Sequence, residues 1–320
     1  MSTGVWPALV LVEGMPGSGK STTAQWFAGE FERQGRPARW VYEQEVPHPV
    51  VGPSPVALRT WKEVLGRHLA GWSRFAAAVR AGETTVVVDS AFLQTSVAVT
   101  LRRNLNGEII RTFVARIADI IRPLDPALVH FRQPDPETAF RTICDKRGMA
   151  WTLQHISAFD GSAWARTRGA SGMDGVLAYW SEHATLCNAV AAGAGLRTLT
   201  VGPEAGDWPS RRRHIAAFLS LTDPPSAGGA VPDLARFVGS YRGERGRQVR
   251  LSIHDGVLAV DGLFWRRNRL VPRAPDILEP ESWPFRLTFE ADPSGGVARF
   301  HLAGPDLPQT RLAGVYEKLH

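Results

Sequence analysis

The sequence predicts an α/β fold, a parallel sheet flanked by helices, followed by a small antiparallel β-barrel or sandwich. Three observations predict it. Over the first two-thirds of the chain, short apolar runs alternate with longer helical segments, the pattern of strands joined by helical crossovers. The first of these runs, residues 8–12, passes directly into a glycine-rich turn and a helix-like segment. Beyond residue 233 the texture changes to short alternating runs broken by Asp-Gly and Asp-Pro-Ser-Gly-Gly, which mark hairpins.

Strands are expected at residues 8–12, 39–42, 84–88, 127–131 and 197–201, and helices at 21–34, 61–80, 107–121, 136–146, 176–192 and 209–220. The run 84–88 is β-branched without alternation, as in a strand covered on both faces. A doubly wound sheet gathers its ligands beyond the carboxyl ends of its strands. Residues 222–233, TDPPSAGGAVPD, have no periodicity and read as a linker, giving domains at 1–222 and 233–320 joined by 223–232. In the second domain, strands are expected at 249–253, 257–260, 263–265, 285–290 and 297–302.

The 320 residues include 44% hydrophobic types, enough to bury a core, and no run approaches the roughly 20 apolar residues of a membrane span. With no signal-like N-terminus the expected location is the cytoplasm. Cys144 and Cys187 lack C-x-x-C spacing, so neither a disulfide framework nor a zinc site is indicated. The net charge is +6, but the arginines are scattered and only four of the 37 basic residues are lysine, which argues against a nucleic-acid surface.

The chemistry concentrates at the strand ends. Gly14-Met15-Pro16-Gly17-Ser18-Gly19-Lys20-Ser21-Thr22 is G-x-x-x-x-G-K-S between a strand and a helix, a phosphate cradle for a nucleoside triphosphate. Its glycines turn amides inward, Lys20 reaches the β/γ oxygens, Ser21 offers a hydroxyl to Mg2+, and the helix N-terminus adds positive potential. After the second strand come Glu43, Glu45 and His48. Glu45 is favoured slightly over Glu43 as general base because it lies farther toward the ligand edge, with Glu43 and His48 as substrate contacts. Asp89 ends the third strand and is read as holding a metal-bound water or bonding Ser21; Phe92 and Gln94 follow as a helix start facing the acceptor. After the fourth strand, Arg141 and Arg147 are candidates to offset phosphoryl charge. Arg166 and Arg168 lie in a Gly-, Ser- and Ala-rich stretch, residues 161–175, with the composition of a closing lid.

Taken together, GMPGSGKSTTA, the acids after the second strand, VVVDS and ALVHFRQPDPETAFRTICDKRG resemble the P-loop kinases of the thymidylate-kinase and deoxynucleoside-kinase group, over residues 8–220. The resemblance implies ATP and Mg2+ as cofactors, charge-offsetting roles for Arg141 and Arg147, and a base role for Glu43 or Glu45. Those kinases usually carry an acid-Arg pair after the third strand, where this chain has Asp89-Ser90. This departure favours a neutral or differently charged acceptor over a nucleoside monophosphate, and the antibiotic-modifying kinases of the same fold are similar in this sense. The expectation is transfer of the ATP γ-phosphoryl group to a small-molecule hydroxyl. A nucleotide-dependent switch and a nucleoside monophosphate kinase are the alternatives, although the D-x-x-G and N-K-x-D motifs of a GTPase are absent from their places. The β domain faintly resembles lipocalin-like domains appended to some serine hydrolases, and capping of the site, homodimerisation or binding of its own ligand all stay open for it.

Overall fold

A computed structural model of the chain describes residues 6–51, 60–222, 233–292, 296–307 and 311–319. It divides into two units, Met1–Glu43 with Pro47–Asp223, and Gln44–Val46 with Pro224–His320. The expected linker, 223–232, lies outside the described residues.

The first unit is built on five parallel strands, β1 (Leu9–Gly14), β2 (Ala38–Val41), β3 (Thr85–Asp89), β4 (Ala127–Phe131) and β5 (Arg197–Val201), in the order β2-β3-β1-β4-β5. Side chains of a strand alternate between faces, and both faces here are covered. Leu9 and Leu11 of β1 join one core cluster with Leu65, Leu69 and Trp72 of α2 (Trp61–Ala81), and with side chains of α4 (Gly107–Ile121) and α8 (Gly172–Gly193). Val10 and Val12 join the other, with Ala24, Phe27 and Phe31 of α1 (Lys20–Arg33) and Ile215 and Ala216 of α9 (Trp208–Phe218). This sheet with its flanking helices fits a P-loop fold.

The sequence signals for helix starts are used. Thr60 and Glu63 form a reciprocal capping box on α2, Asn106 caps α4, and Asp135 caps α5 (Pro136–Arg147) with Pro136 at its first position. Three further helices appear, α3 (Gln94–Leu101), α6 (Met149–Asp160) and α7 (Ala163–Arg168), the last two where periodicity is weak. Buried aromatics hold them: Phe159, Trp164 and Tyr179 meet with ring centroids 5.5–5.6 Å apart. No helix among the described residues is long and apolar enough to cross a membrane.

The second unit is a barrel rather than a sandwich. Its strands are β6 (Gly239–Gly243), β7 (Gln248–His254), β8 (Val257–Asp261), β9 (Asn268–Ala274), β10 (Ile277–Pro280), β11 (Arg286–Ala291), β12 (Val297–Ala303) and β13 (Gly314–Lys318). They pair antiparallel in chain order, and β13 returns to β6 through Tyr316↔Gly243 to close the circuit. Closure removes both sheet edges. Asp255 and Gly256, with φ of 51° and 76°, make the tight β7–β8 turn that Asp-Gly predicts. The expected strand at 263–265 is instead a turn, because Asp261 Oδ1 accepts from the amide of Arg267 at 2.7 Å and draws the chain into a loop. Strands β9 and β10 escape the pattern because Pro272, Pro280 and several charged residues interrupt their alternation.

Inside the barrel, Tyr241, Phe289, Phe300 and Tyr316 pack ring on ring, and Tyr241 Oη donates to the Phe237 carbonyl at 2.8 Å. Tyr241→Phe strands that buried carbonyl and is expected to lower the stability of the barrel by about 1–2 kcal/mol in urea denaturation.

Candidate functional site

The turn between β1 and α1 is shaped by its glycines. Gly17 and Gly19 have φ of 82° and 90°, values side-chain-bearing residues rarely adopt, and a Cβ on Gly14 would fall 2.9 Å from the Cβ of Phe131. Thr23 stabilises the first turn of α1, its Oγ1 donating to the Gly19 carbonyl at 2.7 Å. No side chain caps α1, so the positive end of the helix faces the loop with its first amides available to an anion. Lys20, only 4% exposed, starts the helix.

Glu43 and Asp89 lie in the field of that lysine, and a third carboxylate, Glu13, lies in the field of Asp89. Glu43, just past the end of β2, places Oε2 3.9 Å from Lys20 Nζ and accepts from Gln94 Nε2 at 3.2 Å. Burial pushes the Glu43 carboxyl up, but Lys20, the Ser90 hydroxyl, Arg147 and Gln94 together hold it below the usual range. Asp89, the last residue of β3, is fully buried; Oδ1 accepts from Ser90 Oγ at 2.6 Å, and Oδ2 has no hydrogen-bond partner. Burial raises it to about 6 with help from Glu43, against Lys20 and the hydroxyls of Ser21 and Ser90. The third acid, Glu13, lies inside β1, and its two oxygens accept from the amides of Phe92 (2.7 Å) and Gln94 (2.9 Å).

The other residues singled out in the sequence divide. Arg147 is half-buried, lies in the field of Glu43 and Tyr42, and stacks its guanidinium 4.6 Å over the Trp151 ring. Arg141 sits on the exposed face of α5. His48 is buried, and its Nδ1 accepts from the amides of Val50 and Val51 at 3.2 and 3.1 Å, which leaves the proton on Nε2. Burial, with Arg39, lowers its pKa to about 4 against the pull of Glu43, so the ring is neutral at physiological pH. Glu45 is also buried, within the stretch 44–46 that groups with the second unit.

Two expectations are corrected. Phe92 does not line a pocket: its ring is fully buried, edge-on to Trp72 at 6.2 Å, and only its amide is turned to the site. The stretch 161–175 is no loose lid, because Ser162 caps α7 and a surface network anchors it. Arg166 donates to the Gly161 carbonyl, while Arg168 lies 4.4 Å over Trp164, bonds Asn104 and pairs with Glu182 at 3.4 Å. These partners engage both arginines on the helical surface.

Glu13 and Tyr42 were not among the expected site residues, and Ser90 was expected beside the acceptor rather than bonded to an acid. An acid inside the apolar run LVLVEG was the available signal for Glu13. Ser90 adopts a left-handed φ of 65°, and its hydroxyl, which donates to Asp89, also lies beside Glu43. No sequence pattern announces that.

Neither a protein-family model nor a curated protein sequence matches the chain. Among solved structures, it is similar to the YorR protein of Bacillus subtilis in complex with phosphorylated GDP, at 15% identity and a TM-score of 0.37 over 67% of this chain and 96% of that one. It is likewise similar to deoxyadenosine kinase from M. mycoides with bound dATP, at 13% identity and a TM-score of 0.37 over 66% of this chain and 99% of that one.

Burial raises Glu13 from 4.5 to about 7 against the amides of Gln94, Phe92 and Leu93, with Asp89 adding to the rise. A carboxyl that holds its proton more tightly folded than unfolded stabilises the fold below about pH 4.5, and that contribution disappears as the pH rises through 7. Urea denaturation between pH 4.5 and 8 is expected to show this decline, and Glu13→Gln to flatten it.

Proposed function

We propose that the first unit is an ATP-dependent phosphotransferase that moves the γ-phosphoryl group to a hydroxyl of a small, uncharged acceptor. The observation that carries this reading is Glu43 beside Lys20: a carboxylate held in its ionised form 3.9 Å from the ammonium of a phosphate cradle. The cradle amides and Lys20 bind the phosphates, and Glu43 accepts the proton of the attacking hydroxyl as the new P–O bond forms. Arg147, in the field of Glu43, adds positive charge on the same side of the cradle.

Ser21 and Asp89 fit a magnesium ion. Asp89 is a buried acid bonded by the Ser21 hydroxyl, and its second oxygen lacks a hydrogen-bond partner. When bound, the ion supplies charge that offsets the β- and γ-phosphates. Ser90 supports an uncharged acceptor: a kinase of the resembled group usually has arginine here, whereas this chain has a hydroxyl engaged by Asp89. Glu43 takes the base role that the linear order of residues had leaned toward giving Glu45, because Lys20 and Gln94 bond it directly.

Calorimetry with MgATP is expected to register uptake by the wild-type protein and its loss, by about a hundredfold or more in affinity, in Lys20→Ala. With an acceptor found by mass shift, Glu43→Gln is expected to bind MgATP normally and to turn over about 10²–10⁴-fold more slowly, while Glu45→Gln stays near wild type. A slow Glu45→Gln beside an active Glu43→Gln returns the base role to Glu45.

A further inference from the structure

We propose that Glu13 is a positioning residue that aims Glu43 at the acceptor through Gln94, an inference that rests on the phosphotransferase reading of the same site. Helix α3 starts without a side-chain cap of its own; Leu93 stands at its N-cap position. The missing acceptors come from β1. Glu13 shares the strand face of Leu9 and Leu11, and spans to the start of α3 with one oxygen on the Phe92 amide and the other on the Gln94 amide. The helix N-terminus is thus capped from another strand, with both carboxylate oxygens used.

Gln94 is held at its carbonyl as well, by His183 Nε2 at 3.1 Å. Its main chain is gripped on both sides, so its side chain leaves from a fixed point. Nε2 then donates to Glu43 Oε2, the same oxygen that faces Lys20. The path closes on itself: Glu13 precedes the cradle, Lys20 ends it, and Gln94 and Glu43 join the two across space. A general base works only when its oxygen is within hydrogen-bond reach of the proton it takes, and a misplacement near 1 Å costs on the order of a hundredfold. Residues that orient such a group contribute through that geometry without touching substrate.

Two measurements test this, one independent of nucleotide. In protein with 15N-labelled glutamine side chains, Glu13→Ala is expected to move the Gln94 side-chain amide toward the position of free glutamine. With MgATP and water as acceptor, the same variant is expected to lose about tenfold in turnover, the size of one lost hydrogen bond to a charged group, with the KM for MgATP within about twofold. Glu13→Gln keeps one carbonyl oxygen for one of the two amides and is expected to fall between wild type and Glu13→Ala. A role of the Glu13 charge alone makes the two variants equal and overturns the proposal.

The double variant Glu13→Ala/Gln94→Ala is expected to be no slower than Gln94→Ala, since both changes cut one path. Additive losses, or an unmoved Gln94 signal, overturn it too. If Glu13→Ala fails to fold, Glu13→Gln carries both measurements and Gln94→Ala the turnover. Absence of MgATP uptake by the wild type refutes the phosphotransferase reading alone, because the Gln94 signal still decides whether Glu13 positions it.

Discussion

The site depends on a shortage of positive charge. Glu13 and Asp89 are fully buried and Glu43 largely so, while the Lys20 ammonium acts on Glu43 and Asp89. Buried carboxylates of like sign cannot all ionise cheaply, so their proton affinities separate. Glu43, nearest the ammonium, is held low; Asp89 rises to about 6 and Glu13 to about 7. Lys20, with Arg147 on Glu43, therefore separates Glu43 from Asp89, while burial and the charge of Asp89 raise Glu13. That sorting suits the assignment of Glu43 as base and of Asp89 as the acid beside the cradle hydroxyl.

Sheet topology makes the shortage local. In the order β2-β3-β1-β4-β5, β3 lies between β2 and β1, so the chain after β2, the end of β3 and the turn after β1 emerge side by side. Glu43, Asp89 and Lys20 come from those three places. The covered faces of the sheet then remove water, which is why burial is the largest influence on each acid. Packing and electrostatics are one constraint here: the apolar strands that exclude solvent also force the polar ends to satisfy each other. Glu13 on the amides of Phe92 and Gln94, and Ser90 between Asp89 and Glu43, are how they do so.

The barrel follows a different logic. Its strands pair with sequence neighbours, and one long-range pairing, β13 with β6, closes the sheet. Local turn chemistry such as Asp255-Gly256 sets register, while the stacked rings of Phe300 and Tyr316 fill the interior.

The sequence by itself determined the five parallel strands, most crossover helices and the cradle, because hydrophobic periodicity, capping residues and a contiguous glycine-rich turn are local signals. It also placed Glu43, Asp89, Gln94 and Arg147 at strand or helix ends. It left open which acid meets Lys20, since alternation continued past β2 would put residues 43 and 45 on one side, whereas the chain turns at 43–44. It turned Phe92 and Arg168 toward a pocket, when a core ring in one case and Asn104 with Glu182 in the other take those side chains. What tertiary structure alone decided are the contacts between residues far apart in the chain: Glu13 with α3, Gln94 with Glu43, and one Ser90 hydroxyl between two acids. Periodicity reports what a residue's neighbours in sequence are doing, and these bonds are set by which strand ends the sheet brings together.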